Sequence, residues 1–462
     1  RHTRYRRSSR GLGDVYKRQA EDRADSPPDL PDWPRQQLRG HALDGYRYTS
    51  REFMQREWEH MWTRVWLLLG REDEMPNPGD WQQEEVGPES ILMVRQDDGG
   101  IKAFYNVCQH RGQRLVSAAK GSVRRFICPY HSWAWTRDGA LDFVQDADDF
   151  PQGNPCGKLR LAEIPCDTFA GFVWVNMDPD CVSLREFLGP VWEDWEPYDI
   201  GTWKRYVARS TIAPVNWKVV MDNFNESYHV NTVHRPQGAA VEKLRIHSGV
   251  DTSYKTTRFD MADQGHGRMI MLGGYAGPAA DKSGAIGEPL AGILQDWDMD
   301  PDDFKGRGED TREALQQARR KLGPGRGYEY FTRLCDSQLT DAYHYTLFPN
   351  FAVSLWVDGF HYLRARPHPT DPEQCLFDNW WYAPDPEGVT DPVRTTAGLV
   401  ERDAVIEHEL FMPGESSMGL TIDQDMSIFP AQQLGMRSRG YKGSYLAGQE
   451  SRVARLHELV DD

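Results

Sequence analysis

The 462-residue chain lacks any uninterrupted apolar run of about 18 residues or more, so no membrane-spanning helix is predicted. Its first residues also lack the apolar stretch of a secretory signal. Cysteine is scarce: seven residues, an odd number, do not resemble the disulfide framework of a small secreted protein. We therefore expect a protein of the reducing cytoplasm.

Basic residues are fewer than acidic ones, with 54 Lys and Arg against 70 Asp and Glu. The formal net charge is −16, which argues against a general nucleic-acid-binding function. Residues 1–19 are the exception, with seven basic side chains and one acidic one. We interpret this stretch as a disordered basic arm or, because it resembles translated sequencing-adaptor read-through, as a non-native extension. It is left out of the fold prediction.

The length predicts two domains, or one domain with another inserted into it. Residues 65–185 show short alternating strands, such as 91–95 and 101–105, separated by turns. A helical pattern over 49–68 precedes them, and mixed patterns follow. Further on we predict helices over 216–234, 309–322, 393–411 and 419–436, a loop or lid over 262–290, and strands within 346–356, 361–368 and 375–383.

The predicted fold class is therefore α+β. An antiparallel β-rich domain, residues 65–185, is inserted near the N-terminus of a larger α+β domain. The larger domain comprises a helical part at 20–64 and residues 186–462, with a central antiparallel sheet flanked by helices. The sequence contains no internal repeats.

Four side chains in the β-rich part have the spacing of metal ligands. Cys108 and His110 form a Cys-x-His arm, and Cys128 and His131 form a Cys-x-x-His arm seventeen residues later. Two such arms can hold two irons, with both cysteines on one and both histidines on the other. A structural Cys2His2 zinc site uses the same residue types, although usually at other spacings. Four unrelated buried residues are the remaining alternative.

The segments CQHRG (108–112) and CPYHSW (128–133) resemble the Rieske motif of the α subunits of ring-hydroxylating oxygenases. The resemblance implies a [2Fe–2S] cluster on Cys108, His110, Cys128 and His131, shielded by Trp133. It also implies that residues 65–185 form the Rieske domain. The remainder, 186–462 with 20–64, would be the catalytic domain with a mononuclear non-haem iron.

A second group of candidate ligands lies in NWKVVMDNFNESYHVNTVH, residues 216–234. Glu226 and His229 are three residues apart and would share one face of a helix. His234 follows five residues later, which suits one ligand on a helix and one just past its end. Two imidazoles and one carboxylate make the facial triad that binds non-haem Fe(II). The stretch also resembles the mononuclear iron motif of the same family.

The carboxylate ligand must come from elsewhere in the chain. Asp423 and Asp425 are candidates, although acids of this kind are also typical of a solvated helix face. The family resemblance implies Asp425, because members place this ligand eight residues before a Gln-x-Gly, here Gln433. Asp423 is the alternative. Asn223, just before the histidines, is expected to contact the ligands or the substrate.

Glu226 departs from many ring-hydroxylating dioxygenases, which have Asp at this place, whereas several relatives that act on quaternary amines have Glu. The resemblance implies that this carboxylate bonds to His229 of its own subunit and to His131 of the neighbouring one. It therefore also implies a head-to-tail homotrimer, with or without a separate β subunit.

The function implied by the resemblance is that of a terminal oxygenase. Electrons from a ferredoxin, a flavin reductase or both, together with O₂, would hydroxylate an aromatic or related small organic substrate at Fe(II). The alternative is a Rieske monooxygenase or demethylase acting on a quaternary ammonium or N- or O-methyl compound. Two hypotheses from other functional classes are a Rieske protein that only transfers electrons and a binding protein stabilised by zinc.

Overall fold

The computed structural model describes residues 26–33, 38–40, 42–234, 246–247, 250–251, 255–273 and 284–462. The basic stretch 1–19 lies outside the described residues. Among the helices that are described, none is long and apolar enough to cross a membrane.

The predicted helix over 49–68 is present in shorter pieces. Helices α1 (Tyr46–Thr49) and α2 (Arg51–Glu57) lead into a π-helical turn over Trp58–Trp62. Ser50 caps α2, because its side chain accepts a hydrogen bond from the Phe53 amide at 3.2 Å. The buried Trp62 ring packs edge-on against Trp217 with 5.0 Å between ring centroids, which joins this helical part to the rest of the larger domain.

The β-rich part consists of short antiparallel strands in three sheets. Their order is β5-β2-β3-β4-β9, β6-β7-β8 and β1-β11-β10. The strands are β1 (Leu67–Arg71), β2 (Asp80–Val86), β3 (Glu89–Arg95), β4 (Ile101–Tyr105), β5 (Lys120–Ser122), β6 (Arg125–Ile127), β7 (Ala134–Thr136), β8 (Leu141–Phe143), β9 (Glu163–Ile164), β10 (Cys166–Phe169) and β11 (Phe172–Val175). The predicted hairpin of 91–95 and 101–105 is confirmed as β3 and β4.

Two turns explain how the β-rich part folds locally. In the β3–β4 hairpin, Asp98 accepts a hydrogen bond from the Gly100 amide at 2.9 Å. The apolar run FAGFVWVNM, residues 169–177, predicts one buried strand, and this prediction is wrong. The chain reverses at Ala170 and Gly171, whose φ angles are 54° and 76°, so that two strands form instead of one.

The larger part contains the remaining helices and strands, most of the strands in one sheet. The helices are α3 (Leu184–Leu188), α4 (Pro190–Trp195), α5 (Trp217–Phe224), α6 (Val230–Val233), α7 (Leu290–Asp296), α8 (Asp310–Leu322), α9 (Leu420–Met436) and α10 (Ser451–Asp461). The strands are β12 (Lys204–Ala213), β13 (Ile246–His247), β14 (Val250–Asp251), β15 (Arg258–Met261), β16 (Gly267–Met271), β17 (Ala342–Leu347), β18 (Phe351–Trp356), β19 (Gly359–Pro367), β20 (Cys375–Ala383), β21 (Val393–Thr395), β22 (Gly398–Val400) and β23 (Glu409–Phe411).

An eight-stranded sheet forms the centre of this part, in the order β15-β16-β17-β18-β19-β20-β12-β23. All its pairs are antiparallel except the edge pair of β12 with β23, which is parallel. The α+β class with a central antiparallel sheet is therefore confirmed. The register aligns His344, Ser354, His361 and Trp381 in one row across four strands.

Helix α5 packs against this sheet, and His344 of this row forms a hydrogen bond with the last residue of the helix. The His344 Nε2 atom donates to the Phe224 carbonyl at 2.6 Å, and His361 Nε2 bonds to the Asn379 side chain at 2.7 Å. Both histidines are buried, and burial lowers the pKa of His361 to about 4. Their hydrogen bonds to the sheet and to helix α5 give both histidines a structural role.

Two helix predictions fail for physical reasons. The helix predicted over 216–234 stops at Phe224, because the Glu226 carboxylate accepts from the Tyr228 and His229 amides and so competes with helical bonding. Residues 393–411 form three short strands instead of a helix, with Gly398 at φ 104° in the β21–β22 turn.

The loop predicted over 262–290 is partly wrong, because Gly267–Met271 is strand β16 of the central sheet. Residues 274–283 of that prediction lie outside the described residues. The helices predicted over 309–322 and 419–436 are confirmed as α8 and α9.

A buried ion cluster ties the central sheet together. Asp378 accepts from Arg364 Nε at 2.8 Å, from Arg366 at 3.0 Å and from the Ser210 hydroxyl at 2.6 Å. Burial works to raise the pKa of Asp378, but Arg366 and Arg364 outweigh it and lower this pKa to about 2. Arg366 also reaches Glu84 of β2 at 2.8 Å, which joins the β-rich part to the sheet.

Replacing Asp378 with alanine should destabilise the protein by about 3–5 kcal/mol, because Arg364 stays buried without a carboxylate and Arg366 keeps only Glu84. Arg307→Ala, which breaks an exposed pair, is the control and should cost at most about 1 kcal/mol. Because the pKa of Asp378 is lower in the folded chain than the roughly 4 of an unfolded one, its contribution is complete above about pH 4 and disappears toward pH 2. Thermal unfolding followed by circular dichroism, repeated at several pH values, measures the stability loss and its pH dependence. Equally small shifts of the melting temperature in the two variants would contradict the stabilising role of Asp378.

Candidate metal centres

The two Cys-and-His arms form loops of matching local structure, despite their different spacing. The Gly112 amide donates to the Cys108 carbonyl at 3.0 Å, and the Ser132 amide donates to the Cys128 carbonyl at 3.0 Å. Gly112 and Ser132 both adopt left-handed backbone conformations, with φ angles of 74° and 59°. Each loop therefore turns back sharply, four residues after its cysteine, and the two loops present their side chains to each other.

The side chains of these loops form one group. Cys108 and Cys128 are buried in the core of the β-rich part, and burial raises the pKa of the Cys108 thiol. The His110 and His131 rings lie 4.7 Å apart, and the buried Nδ1 atom of His131 has no hydrogen-bond partner among the described residues. Trp133 stacks on His110 with 4.4 Å between ring centroids and covers it.

The geometry of these four residues fits two irons better than one zinc ion. Zinc holds its ligands about 2.0–2.3 Å away, so that the ligand atoms lie within about 4 Å of one another. In the described part of the chain, His229, His234 and Asp425 place three ligand atoms within 4.8 Å of one another. The four Rieske-motif residues do not form such a group, whereas a [2Fe–2S] cluster spreads its ligands over two irons. The unpartnered His131 nitrogen fits such a ligand role.

His229 and His234 stand at the two ends of the four-residue helix α6, so neither lies on a helix shared with Glu226. Their Nε2 atoms lie 3.4 and 3.3 Å from the Oδ1 atom of Asp425, which helix α9 contributes. Asp425 is 1 % exposed, and its Oδ1 atom has no hydrogen-bond partner among the described residues. A buried carboxylate oxygen is costly without compensation, and a divalent cation between these three atoms compensates it.

The other ring nitrogen of each histidine is held by a neighbour. His229 Nδ1 bonds to Glu226 Oε1 at 2.5 Å, and His234 Nδ1 bonds to Gln424 Oε1 at 3.0 Å. These acceptors keep the proton on Nδ1 and leave the Nε2 lone pairs for a metal. Burial opposes a charge on His229, but the Asp425 and Glu226 carboxylates outweigh it and, as long as no cation is bound, raise its pKa to about 10. A cation bound at Nε2 would displace that proton, so that the imidazole would serve as a neutral ligand.

The geometry separates the two candidate carboxylates. Asp423 accepts from the Met418 amide at 2.8 Å and from the Ser417 hydroxyl at 2.5 Å, so it is engaged at the start of α9. Asp425 faces the two histidines instead. Gln433, further along α9, accepts from the amide of Asn216 at 2.9 Å, and Asn216 caps helix α5. The helix with the acid is thereby fastened to the helix that leads to the histidines.

Asn223 is 8 % exposed, and its Nδ2 atom has no hydrogen-bond partner in the described part of the chain. Tyr228 is 59 % exposed, whereas Phe224 packs against Phe377 with 5.7 Å between ring centroids. Gln424, the hydrogen-bond partner of His234, is not predicted by the sequence motifs. The one sequence signal that could have found it is its position beside Asp425.

Comparison with known families agrees with this arrangement. Residues 65–153 match the Rieske [2Fe-2S] domain family, and residues 200–462, more than half of the chain, match the family of the ring hydroxylating alpha subunit (catalytic domain). The chain belongs to this ring-hydroxylating alpha-subunit family. The matches imply a Rieske cluster and a mononuclear iron as its cofactors, and both donor sets described above fit them.

Individual relatives cover only parts of the chain. It is 32% identical over 203 residues to a glycine betaine monooxygenase oxygenase subunit of Chromohalobacter salexigens, covering 44% of this chain and 45% of that one. It is 30% identical over 237 residues to a carnitine monooxygenase oxygenase subunit of Escherichia coli, covering 50% and 58%. It is 33% identical over 205 residues to the large oxygenase component of a Pseudomonas aeruginosa naphthalene 1,2-dioxygenase system, covering 42% and 44%. The chain thus spans about half the length of these curated relatives.

Solved structures share the fold over most of the chain. A quaternary ammonium Rieske monooxygenase in complex with L-carnitine aligns with a TM-score of 0.61 and 20% identity, over 91% of this chain and 94% of that one. Naphthalene 1,2-dioxygenase with bound indole also aligns with a TM-score of 0.61 and 20% identity, over 94% and 93%. At this identity the likeness shows the fold alone.

Asp425→Ala should remove the mononuclear iron and leave the cluster absorption unchanged, because the two histidines lose their shared carboxylate. Iron should fall from about three atoms per chain to about two. Asp423→Ala is the matched control from the same helix turn and should keep its iron, although it loses a cap. Metal analysis and visible absorption spectra measure both effects. Loss of iron in Asp423→Ala alone would make that residue the ligand.

Proposed function

We propose that this chain is the terminal oxygenase component of a Rieske oxygenase system. It receives electrons from a ferredoxin, a flavin reductase or both, and uses O₂ to hydroxylate an aromatic or related small organic substrate. The observation that carries this proposal is the presence of two donor sets in one chain, the paired Cys-and-His loops and the histidine–carboxylate group. A protein that only transfers electrons needs the first set alone.

Each residue of these sets has a proposed role. Cys108 and Cys128 would hold one iron of the cluster, His110 and His131 the other, and His229, His234 and Asp425 the mononuclear iron. When bound, the cluster supplies single electrons and the mononuclear iron supplies activation of O₂. With three protein donors, coordination positions stay available for O₂ and substrate.

The surrounding side chains orient the donors. Glu226 and Gln424 hold the Nδ1 protons, so that His229 and His234 act as neutral ligands through Nε2. Trp133 covers His110 and excludes water from that edge of the cluster. Asn223, whose buried Nδ2 atom has no partner among the described residues, is available to donate a hydrogen bond to the substrate.

We also propose a head-to-tail homotrimer, in which the cluster end of one subunit meets the Glu226 surface of the next. The cluster end exposes the apolar side chains of Ile127 (55%) and Tyr130 (53%), and Tyr228 beside Glu226 is 59% exposed. Association would bury all three. Glu226 Oε1 accepts one hydrogen bond from His229 and has capacity for a second, from His131 of the neighbouring subunit. This arrangement is compatible with a separate β subunit and does not require one.

The domain boundaries are proposed as 65–185 for the Rieske domain and 186–462, with 20–64, for the catalytic domain. A reducing cytoplasm is the proposed compartment, supported by the seven cysteines, none of which forms a disulfide.

A second candidate function is that of a monooxygenase or demethylase acting on a quaternary ammonium or N- or O-methyl compound. The observation that favours it is Glu226, whose longer side chain folds back to bond the Tyr228 and His229 amides. Relatives named for glycine betaine and carnitine, both quaternary ammonium compounds, stand among the matches beside the naphthalene enzyme.

The purified protein, supplied with a surrogate reductase and NAD(P)H, should consume O₂ in a substrate-dependent way. Aromatic hydrocarbons and quaternary ammonium compounds are screened in parallel, with oxygen-18 gas to trace incorporation. A hydroxylated ring supports the first function, and an aldehyde released with a dealkylated amine supports the second. Cluster reduction and reoxidation without oxygen incorporation into any substrate of the two sets would refute both.

Glu226→Gln should retain both metals and the cluster spectrum but slow the reoxidation of the reduced cluster about tenfold to hundredfold, because the charged link between the centres is lost. Stopped-flow absorption with substrate and O₂ measures this rate. Glu415→Gln is a matched control, because Glu415 also accepts from a main-chain amide, that of Met412 at 2.9 Å. An unchanged rate in Glu226→Gln would refute the bridging role.

A further inference from the structure

The C-terminal helix α10 places a buried arginine behind the loop that carries Glu226. Arg452 is 2% exposed and donates to three main-chain carbonyls, those of Asn225 at 2.9 Å, His344 at 2.8 Å and Phe224 at 3.1 Å. Phe224 is the last residue of α5, so two of the three acceptors belong to the end of that helix. Arg452 therefore joins the end of α5, strand β17 and α10 at one point.

This contact is unusual for a buried cation. Within the described residues, the hydrogen bonds of Arg452 go to carbonyls and not to a carboxylate. The negative end of the α5 dipole, formed by its last carbonyls, is the compensating charge. Burial lowers the pKa of the Arg452 guanidinium to about 9, and the Glu226 carboxylate opposes that shift. The arginine and the glutamate thus interact electrostatically as well as through the backbone between them.

A second buried contact holds helix α10 in its register. His457 bonds through Nε2 to Asp222 of α5 at 2.9 Å and to the Tyr48 hydroxyl at 3.0 Å. The Tyr48 hydroxyl in turn donates to Asp222 at 2.7 Å. His457 is fully buried, so this network lies inside the protein. The helix is fixed against α5 at Asp222 and at the carbonyls of Phe224 and Asn225, immediately before Glu226.

We propose that Arg452 is a positioning residue for the Glu226 carboxylate. By holding the carbonyls that end α5, it fixes where the chain leaves the helix, and it keeps a positive charge behind Glu226. The carboxylate then stays in place to accept a hydrogen bond from His229 Nδ1. This bond orients the Nε2 atom of His229 toward Asp425. This inference rests on the proposed function, because it gives Glu226 and His229 their roles at the metal.

A double-mutant cycle on Co(II) affinity tests the proposal with the full chain after removal of its mononuclear metal. Co(II) absorption reports the coordination of the histidines without any turnover. Glu226→Ala should lower the Co(II) affinity about tenfold to hundredfold, as the loss of a ligand's hydrogen-bond partner does. Arg452→Lys, which keeps the charge but not the three-carbonyl contact, should lower it about tenfold. In the Glu226→Ala background, Arg452→Lys should have no further effect beyond about twofold.

A control and a second variant make the cycle decisive. Arg455→Lys, three residues along the same helix, should leave the Co(II) affinity within about twofold of the wild type. If Arg452→Lys does not fold, Arg452→Gln, whose amide can still donate to a carbonyl, enters the same cycle. An arginine with a purely structural role would lower the melting temperature but leave the Co(II) affinity unchanged, or would lower it equally in both backgrounds; either result overturns the proposal. A wild-type chain that binds no Co(II) would instead refute the proposed function.

Discussion

The convergence of His229, His234 and Asp425 is the constraint on which the catalytic part of this structure depends. Two imidazole nitrogens face one buried carboxylate oxygen at 3.4 and 3.3 Å, and that oxygen has no hydrogen-bond partner in the described part of the chain. Such an arrangement is costly in an apolar interior unless a cation occupies the space between the three atoms. The three atoms therefore form a candidate site for a cation, in agreement with the mononuclear iron that the family match implies.

The surrounding fold holds helix α5 at both ends. Its beginning is fastened by Gln433 of α9, which accepts the Asn216 amide, and its end by Arg452 and His344, which donate to the Phe224 carbonyl. Asp425 lies on α9, and the two histidines lie at the ends of α6, which follows α5. Contacts between these helices therefore set the distances within the site. The cluster loops are more self-contained, because their shape comes from bonds within each loop.

Local patterns in the sequence predicted the ligand motifs and many of the strands. The Cys108 and Cys128 arms, the hairpins of the β-rich part and the strands of the central sheet all depend on neighbours close in sequence. The break after Phe224 could not be predicted, because Glu226 folds back onto amides that a helix pattern assigns to the helix. Arg452 leaves no local pattern either, because its partners lie far away in the sequence, and the only local signal for Gln424 is its position beside Asp425. The choice of Asp425 over Asp423 needed the family resemblance, and only the fold shows that Asp423 is engaged at the start of α9.

The most direct test of the central claim is the content of iron and acid-labile sulfide in the freshly purified chain. Two centres of the proposed kind predict about three irons and about two sulfides per chain, with the visible absorption of an iron–sulfur cluster. A chain with about one zinc ion, no sulfide and no visible colour would contradict the account.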